Sequence, residues 1–181
     1  MAYQLREATL PVLPPGAAPI RVLHFSDLHL TPARHQEVAD IKSWINLKPD
    51  LVISTGDFLA HQEAVPVALH ALDELLALPG LFVFGSNDYY APKFKNPLNY
   101  LKKDHGPRIL GNELPTKDLA DGLTRRGWKN LNHARALITI KGSTIEARGT
   151  DDAHLNRDDY NTVADSAIQY FYLLSKHLSL R

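Results

Sequence analysis

The chain has 181 residues, 20 basic and 20 acidic side chains, and a hydrophobic content of 44%. These values predict one soluble globular domain, and the balanced charge excludes a strong field that would recruit nucleic acid or an anionic membrane. Cysteine is absent, so disulfides and thiolate metal sites are excluded, while oxygen and imidazole ligands remain. No apolar N-terminal stretch is long enough for a signal or a transmembrane segment, which predicts a cytoplasmic protein.

The first elements predict an edge strand followed by a strand that ends in candidate metal ligands. Residues Tyr3 to Val12 alternate loosely and predict the edge strand. The apolar run within Arg21 to Leu30 is typical of a buried strand, and it ends at Asp27 and His29. In extended chain, residues i and i+2 point to the same side, so this pair can bind one ion. Taken alone, the pair is more typical of a polar loop with a helix-capping Asp.

Two predicted helices separate this strand from two further buried strands. Helical spacing predicts a helix over Gln36–Leu47, and flanking prolines delimit a second helix between Pro66 and Pro79. The strand after the first helix leads into Gly56-Asp57, and the strand after the second leads into Gly85-Ser86-Asn87-Asp88. This alternation predicts an α/β fold with a parallel sheet. Three polar strand ends are then expected at one edge of the sheet, where ligands collect in such folds.

The second half of the chain predicts a long loop, a short helix and a hairpin. The loop is Tyr89–Pro115 and the helix is Thr116–Arg126. The hairpin has its turn at Lys141-Gly142, between two short strands. The segment from Ser166 to Arg181 predicts an apolar helix or an unrelated ending. We predict one domain over residues 1–165 and a divergent tail over residues 166–181.

The ordered series of strand ends resembles the calcineurin-like metallophosphoesterases. The resemblance covers roughly residues 4–165 and includes the Gly149–His154 segment. It implies an α/β fold with a mixed β-sheet sandwich flanked by helices, and a pair of divalent ions (Mn, Fe, Zn or Mg). It also implies a phosphate-ester substrate that is hydrolysed by a metal-bridged hydroxide. Asp27 and His29 are the expected ligands of the first ion. Asp57, on the middle strand end, is the expected bridging carboxylate, with a plain Gly-Asp turn as the competing interpretation.

The third strand end departs from the family pattern, which is Gly-Asn-His followed by Asp or Glu. An ungapped match places Ser86 at the Asn position and Asn87 at the His position. A shift of one residue makes Asn87 the ligand and Asp88 the general acid. A carboxamide oxygen suits a hard ion better than a hydroxyl, which favours Asn87 as the metal ligand. The catalytic His is missing either way, and Asp88 can serve as the catalytic acid only if its pKa is raised.

The later ligands of the family are also missing, because the chain contains no Gly-His-x-His. The predicted metal ligands are therefore Asp27, His29, Asp57 and Asn87. This incomplete set predicts weak, partial or absent phosphoesterase activity, and we interpret the chain as the N-terminal portion of a longer enzyme with a fold incomplete at the C-terminus. The alternatives are a non-catalytic remnant and a binding module, although no glycine-rich phosphate loop is present.

Substrate contacts are predicted in the long loop, where Lys93 and Arg108 belong to a group of basic residues interleaved with aromatic ones. Such a segment can hold a bulky phosphate ester or stack on a base. A solvated, proline-rich loop is the competing and favoured interpretation.

Overall fold

Two β-sheets form the centre of the molecule. The computed structural model describes residues 3–92 and 110–164, and the backbone of residues 170–174. The first sheet is parallel, with the order β1-β2-β3-β4 (Val22–Phe25, Leu51–Ser54, Gly80–Phe82 and Lys129–Asn130). The second has the order β5-β6-β7 (Ala134–Ile140, Ser143–Gly149 and Tyr170–Leu174), with β5 and β6 antiparallel and β6 and β7 parallel. The predicted mixed α/β fold with a parallel sheet is confirmed.

Helices follow the strands as the sequence pattern predicts. The α-helices are α1 (His35–Ser43), α2 (Val65–Ala71), α3 (Ser86–Tyr89) and α4 (Thr116–Arg125). Short 3-10 turns lie at Trp44–Leu47, Leu75–Ala77, Ala153–Leu155 and Tyr160–Thr162. Among the described helices, none has both the length and the apolar character that crossing a membrane requires.

The hydrophobic residues form a layer on each face of the first sheet. Successive side chains of a strand point to opposite faces, and β2 shows this directly. Leu51 and Ile53 belong to the cluster that packs against the second sheet, which includes Ala147 of β6. Val52 belongs to the larger cluster on the helix side. The first sheet is therefore covered on both faces, and its strand ends are held between two packed layers.

The N-terminal edge strand predicted over Tyr3 to Val12 is wrong, because this segment pairs with no described strand. Leu5 and Leu10 are 58% and 68% exposed, so the loose alternation does not correspond to one buried face. Tyr3 does pack edge-on against Trp44, with 5.1 Å between ring centroids. The segment lies along the surface as irregular chain.

The hairpin is confirmed and longer than predicted. Its turn residues Lys141 and Gly142 have φ values of 47° and 81°, as a two-residue turn of the type I′ class requires. Of the two predictions for the C-terminal segment, an apolar helix or an unrelated ending, the helix is wrong over Tyr170–Leu174, because β7 pairs there in parallel with β6. A short apolar run does not distinguish helix from strand, and the free edge of β6 selects the strand here. The division into residues 1–165 and 166–181 stays a prediction.

Candidate metal centre

The ends of β1 and β2 continue as two loops that lie side by side. β2 lies between β1 and β3 in the sheet, so its end is flanked by the other two. The backbone N–H of Asp27 donates to the Gly56 carbonyl at 3.0 Å, and the N–H of His29 donates to the Asp57 carbonyl at 2.9 Å. These bonds set the two loops in register. They bring the side chains that follow β1 next to the one that follows β2.

The backbone of this region is unusual and differs from the extended chain assumed for Asp27 and His29. Their φ values are 61° and 45°, and that of Asp57 is 59°. Residues other than glycine rarely adopt this left-handed conformation, although Asp and His tolerate it better than most. Such conformations cost on the order of 1–3 kcal/mol and cluster at functional sites. Left-handed turns, rather than extended geometry, bring these three side chains together.

Asp27, His29 and Asp57 converge closely enough to share an ion. One ligand atom from each lies within 4.8 Å of the others. His29 Nε2 is 3.6 Å from Asp27 Oδ1 and 3.9 Å from Asp57 Oδ2, too long for a hydrogen bond. An octahedral ion with bonds of about 2.1 Å spaces adjacent ligands about 3.0 Å apart and opposite ones about 4.2 Å apart. Both measured distances lie between these limits, and the oxygen and nitrogen donors suit a hard divalent ion.

Asn87 contacts both oxygens of the Asp57 carboxylate. Its backbone N donates to Asp57 Oδ1 at 3.0 Å and its side-chain Nδ2 donates to Asp57 Oδ2 at 2.9 Å. The backbone N–H of Ser86, the alternative ligand, donates to Asp152 Oδ2 at 3.0 Å, and Ser86 is 7% exposed. Asp57, which is only 3% exposed, therefore lies close to both His29 and Asn87, and both approach its Oδ2. The Asp57 carboxylate is thus close to candidate ligands that follow two other strands, β1 and β3.

Asp88, the predicted general acid, lies in an enclosed position. Burial raises its pKa to about 7, while hydrogen bonds from the Gly85 and Asp57 N–H groups oppose the rise and the negative charge of Asp57 adds to it. The raised pKa meets one requirement for an acid, but the side chain is 0% exposed. Its oxygens accept backbone N–H bonds from Asp57, Phe58, Leu59 and Gly85, at 2.7, 2.7, 3.2 and 3.0 Å. A carboxyl group enclosed in this way holds the Asp57 loop against α3, and its role as general acid stays a prediction.

Gly56 provides a test of how tightly the strand ends are packed. Its φ is +93°, and a Cβ there would overlap the backbone of Phe84 and Gly85. Gly127 has nearly the same φ, +96°, with nothing within 4 Å. We expect Gly127→Ala to cost about 1 kcal/mol of unfolding free energy through backbone strain alone. Gly56→Ala should cost more than about 3 kcal/mol, because a buried overlap is added to that strain.

Urea unfolding of the two variants measures this difference, with the metal-free chain as reference. Equal losses would show that the ends of β2 and β3 can separate without cost, which would contradict the close approach of these backbones.

The structure also places residues that the sequence analysis did not assign. Asp151 and Asp152 follow β6, are buried, and contact α3 through hydrogen bonds. Their Gly-Thr-Asp-Asp sequence was noted as part of the resemblance, but nothing in it indicates a contact with α3. Lys93 and Arg108, the predicted substrate-binding residues, lie outside the described residues and stay predictions.

The fold and the site together define an α/β protein with an Asp/His/Asp group able to hold a divalent ion at the carboxyl ends of a parallel sheet. A family model for calcineurin-like phosphoesterases matches residues 20–175. The chain therefore belongs to the calcineurin-like phosphoesterase family, whose members are hydrolases that typically bind divalent metals and act on phosphate esters. A comparison with curated proteins found no match for this chain.

Proposed function

We propose that this chain is a metal-dependent phosphoesterase that hydrolyses a phosphomonoester or phosphodiester. The observation that carries the proposal is the convergence of Asp27, His29 and Asp57, whose ligand atoms lie within 4.8 Å of one another. Membership of a hydrolase family supports the same conclusion. Asn87 contacts both oxygens of Asp57, and its carboxamide oxygen adds a candidate ligand for a second ion position.

Each residue has a distinct proposed role. Asp27 and His29 hold the first position, Asn87 holds the second, and Asp57 is shared between them. Divalent ions there would neutralise the charge of a phosphate ester and lower the pKa of water so that it can attack phosphorus. Asp57 is nearly buried whereas the Asp27 side chain is 56% exposed, so the site is deep at its bridging carboxylate and open toward Asp27. Substrate is therefore expected to approach from the Asp27 side.

We expect weak turnover. The catalytic His of the family is replaced within Gly85-Ser86-Asn87-Asp88, and the Gly-His-x-His is absent from the sequence. Each missing imidazole removes a donor from the ions, and loss of a positioned acid typically costs about 10²–10⁴ in rate. Hydrolysis of bis-p-nitrophenyl phosphate with added Mn²⁺ measures the rate. A family member with complete motifs serves as reference, and an equal kcat would refute this expectation.

His29→Ala serves as the matched variant in that assay, because it removes one predicted ligand. Activity that is lost in this variant together with Mn²⁺ binding supports the proposed function. Binding of Mn²⁺ without measurable hydrolysis by the wild type would favour the alternative, a non-catalytic metal-binding protein. Absence of any Mn²⁺ binding would contradict both.

A further inference from the structure

Helix α3 carries Asn87 and is too short to hold its own position. It spans Ser86–Tyr89. A single helical turn is not stable in isolation, since nucleation costs more than its few hydrogen bonds return. The placement of Asn87 against Asp57 must therefore come from tertiary contacts of the flanking residues. On the inner side, Asp88 supplies these contacts to the Asp57 loop.

On the outer side, α3 is held by two carboxylates that follow β6 of the second sheet. Asp152 is 0% exposed, and its Oδ2 accepts the Ser86 N–H at 3.0 Å while its Oδ1 accepts the Leu155 N–H at 2.9 Å. Asp151 accepts the Tyr89 hydroxyl at 2.9 Å on both carboxylate oxygens. The first and last residues of α3 are thus tied to consecutive residues of one buried segment.

Arg157 and Asn132 add contacts to this segment and to α3. Arg157 Nε lies 3.3 Å from Asp151 Oδ2, and the Arg157 guanidinium carbon lies 4.1 Å from the centre of the Tyr89 ring. Asn132 Nδ2 donates to the Tyr89 hydroxyl at 3.0 Å, and Asn132 Oδ1 accepts the Phe84 N–H at 2.9 Å. The network therefore links the second sheet to both ends of α3 and to the chain just before it.

We propose that Asp151 and Asp152 are positioning residues of the metal centre, which hold α3 so that Asn87 stays against Asp57. The proposal rests on the proposed metal-binding function. It assigns a role to the Asp-Asp sequence after β6 and makes the second ion position depend on the second sheet. Asp27 and His29 follow β1, which lies on the opposite side of β2 from β3, so the first ion position should respond less than the second to a change at Asp152.

The test compares Asp152→Asn with Asp159→Asn. An asparagine at 152 has one acceptor oxygen for two N–H groups, so either Ser86 or Leu155 loses its partner. Asp159 accepts one backbone N–H, from Asn161 at 3.0 Å, at the start of an exposed 3-10 turn. In the metal-free chain, Asp152→Asn should speed amide hydrogen exchange of residues 86–89 by about tenfold or more. In Mn²⁺ titrations it should weaken the second binding step about 10–100-fold and leave the first nearly unchanged. Asp159→Asn should change neither.

Tyr89→Phe is the second variant, because it removes only the hydroxyl that contacts Asp151. It should produce a smaller change in the same two measurements, and it decides the question if Asp152→Asn does not fold. The proposal would be overturned if residues 86–89 exchanged their amide hydrogens at the wild-type rate in the variants that fold. Equal weakening of both Mn²⁺ binding steps would overturn it as well. If the wild type binds no Mn²⁺, the proposed function fails, while the exchange measurement still reports whether the carboxylates position α3.

Discussion

Replacing Asp57 with asparagine is expected to weaken Mn²⁺ binding by more than about a hundredfold and to remove phosphodiesterase activity. Asp57 is the side chain close to both His29 and Asn87, so its charge serves both proposed ion positions. Asparagine keeps the size of the side chain but supplies no negative charge to balance a cation. Isothermal titration with Mn²⁺ and the bis-p-nitrophenyl phosphate assay measure the two effects.

The same substitution should leave the metal-free fold within about 1 kcal/mol of wild type, because the remaining oxygen still accepts the Asn87 backbone N–H and rotation of the Asn87 amide lets its oxygen accept from the new NH2 group. Asp57 lies near Asp88, and its negative charge contributes to the raised pKa of that carboxyl group. Removing one of two neighbouring buried carboxylates relieves repulsion when no cation is present. Asp121→Asn, on the exposed face of α4, is the control and should change neither binding nor stability appreciably. Mn²⁺ affinity within threefold of wild type in Asp57→Asn would contradict the bridging role.

Replacing Asp88 with alanine is expected to cost about 4 kcal/mol of unfolding free energy. The Asp88 carboxyl group accepts four backbone N–H bonds at a fully buried position, and alanine leaves those donors without a partner. Each unsatisfied buried donor costs about 1–3 kcal/mol, and entry of water recovers part of the sum. Urea unfolding of the metal-free chain measures the loss.

Asp118→Ala provides the comparison, because Asp118 lies exposed in the first turn of α4. It should lose less than about 1 kcal/mol, through the interaction with the helix dipole alone. A loss in Asp88→Ala no larger than this, together with a marked fall in turnover at unchanged Mn²⁺ affinity, would restore the general-acid role that burial argues against.

The identity and order of the elements near the site followed from sequence patterns. Apolar runs predicted β1, β2 and β3, and the polar residues at their ends predicted that Asp27, Asp57 and Asn87 meet at one edge of the sheet. These predictions succeed because the strand and helix periods, and the tendency of parallel strands to end together, are properties of local chain geometry. The same patterns identified α1, α2 and α4.

Only the tertiary structure decided what each polar side chain does. The backbone donors of Asp88 lie on a loop about thirty residues earlier in the chain, so no local pattern separates a buried acceptor from an exposed acid. The left-handed backbone of Asp27 and His29 depends on the hydrogen bonds between two loops, and β7 forms because β6 offers a free edge. Long-range hydrogen bonding and burial set these features, and both depend on which distant segments fold against each other.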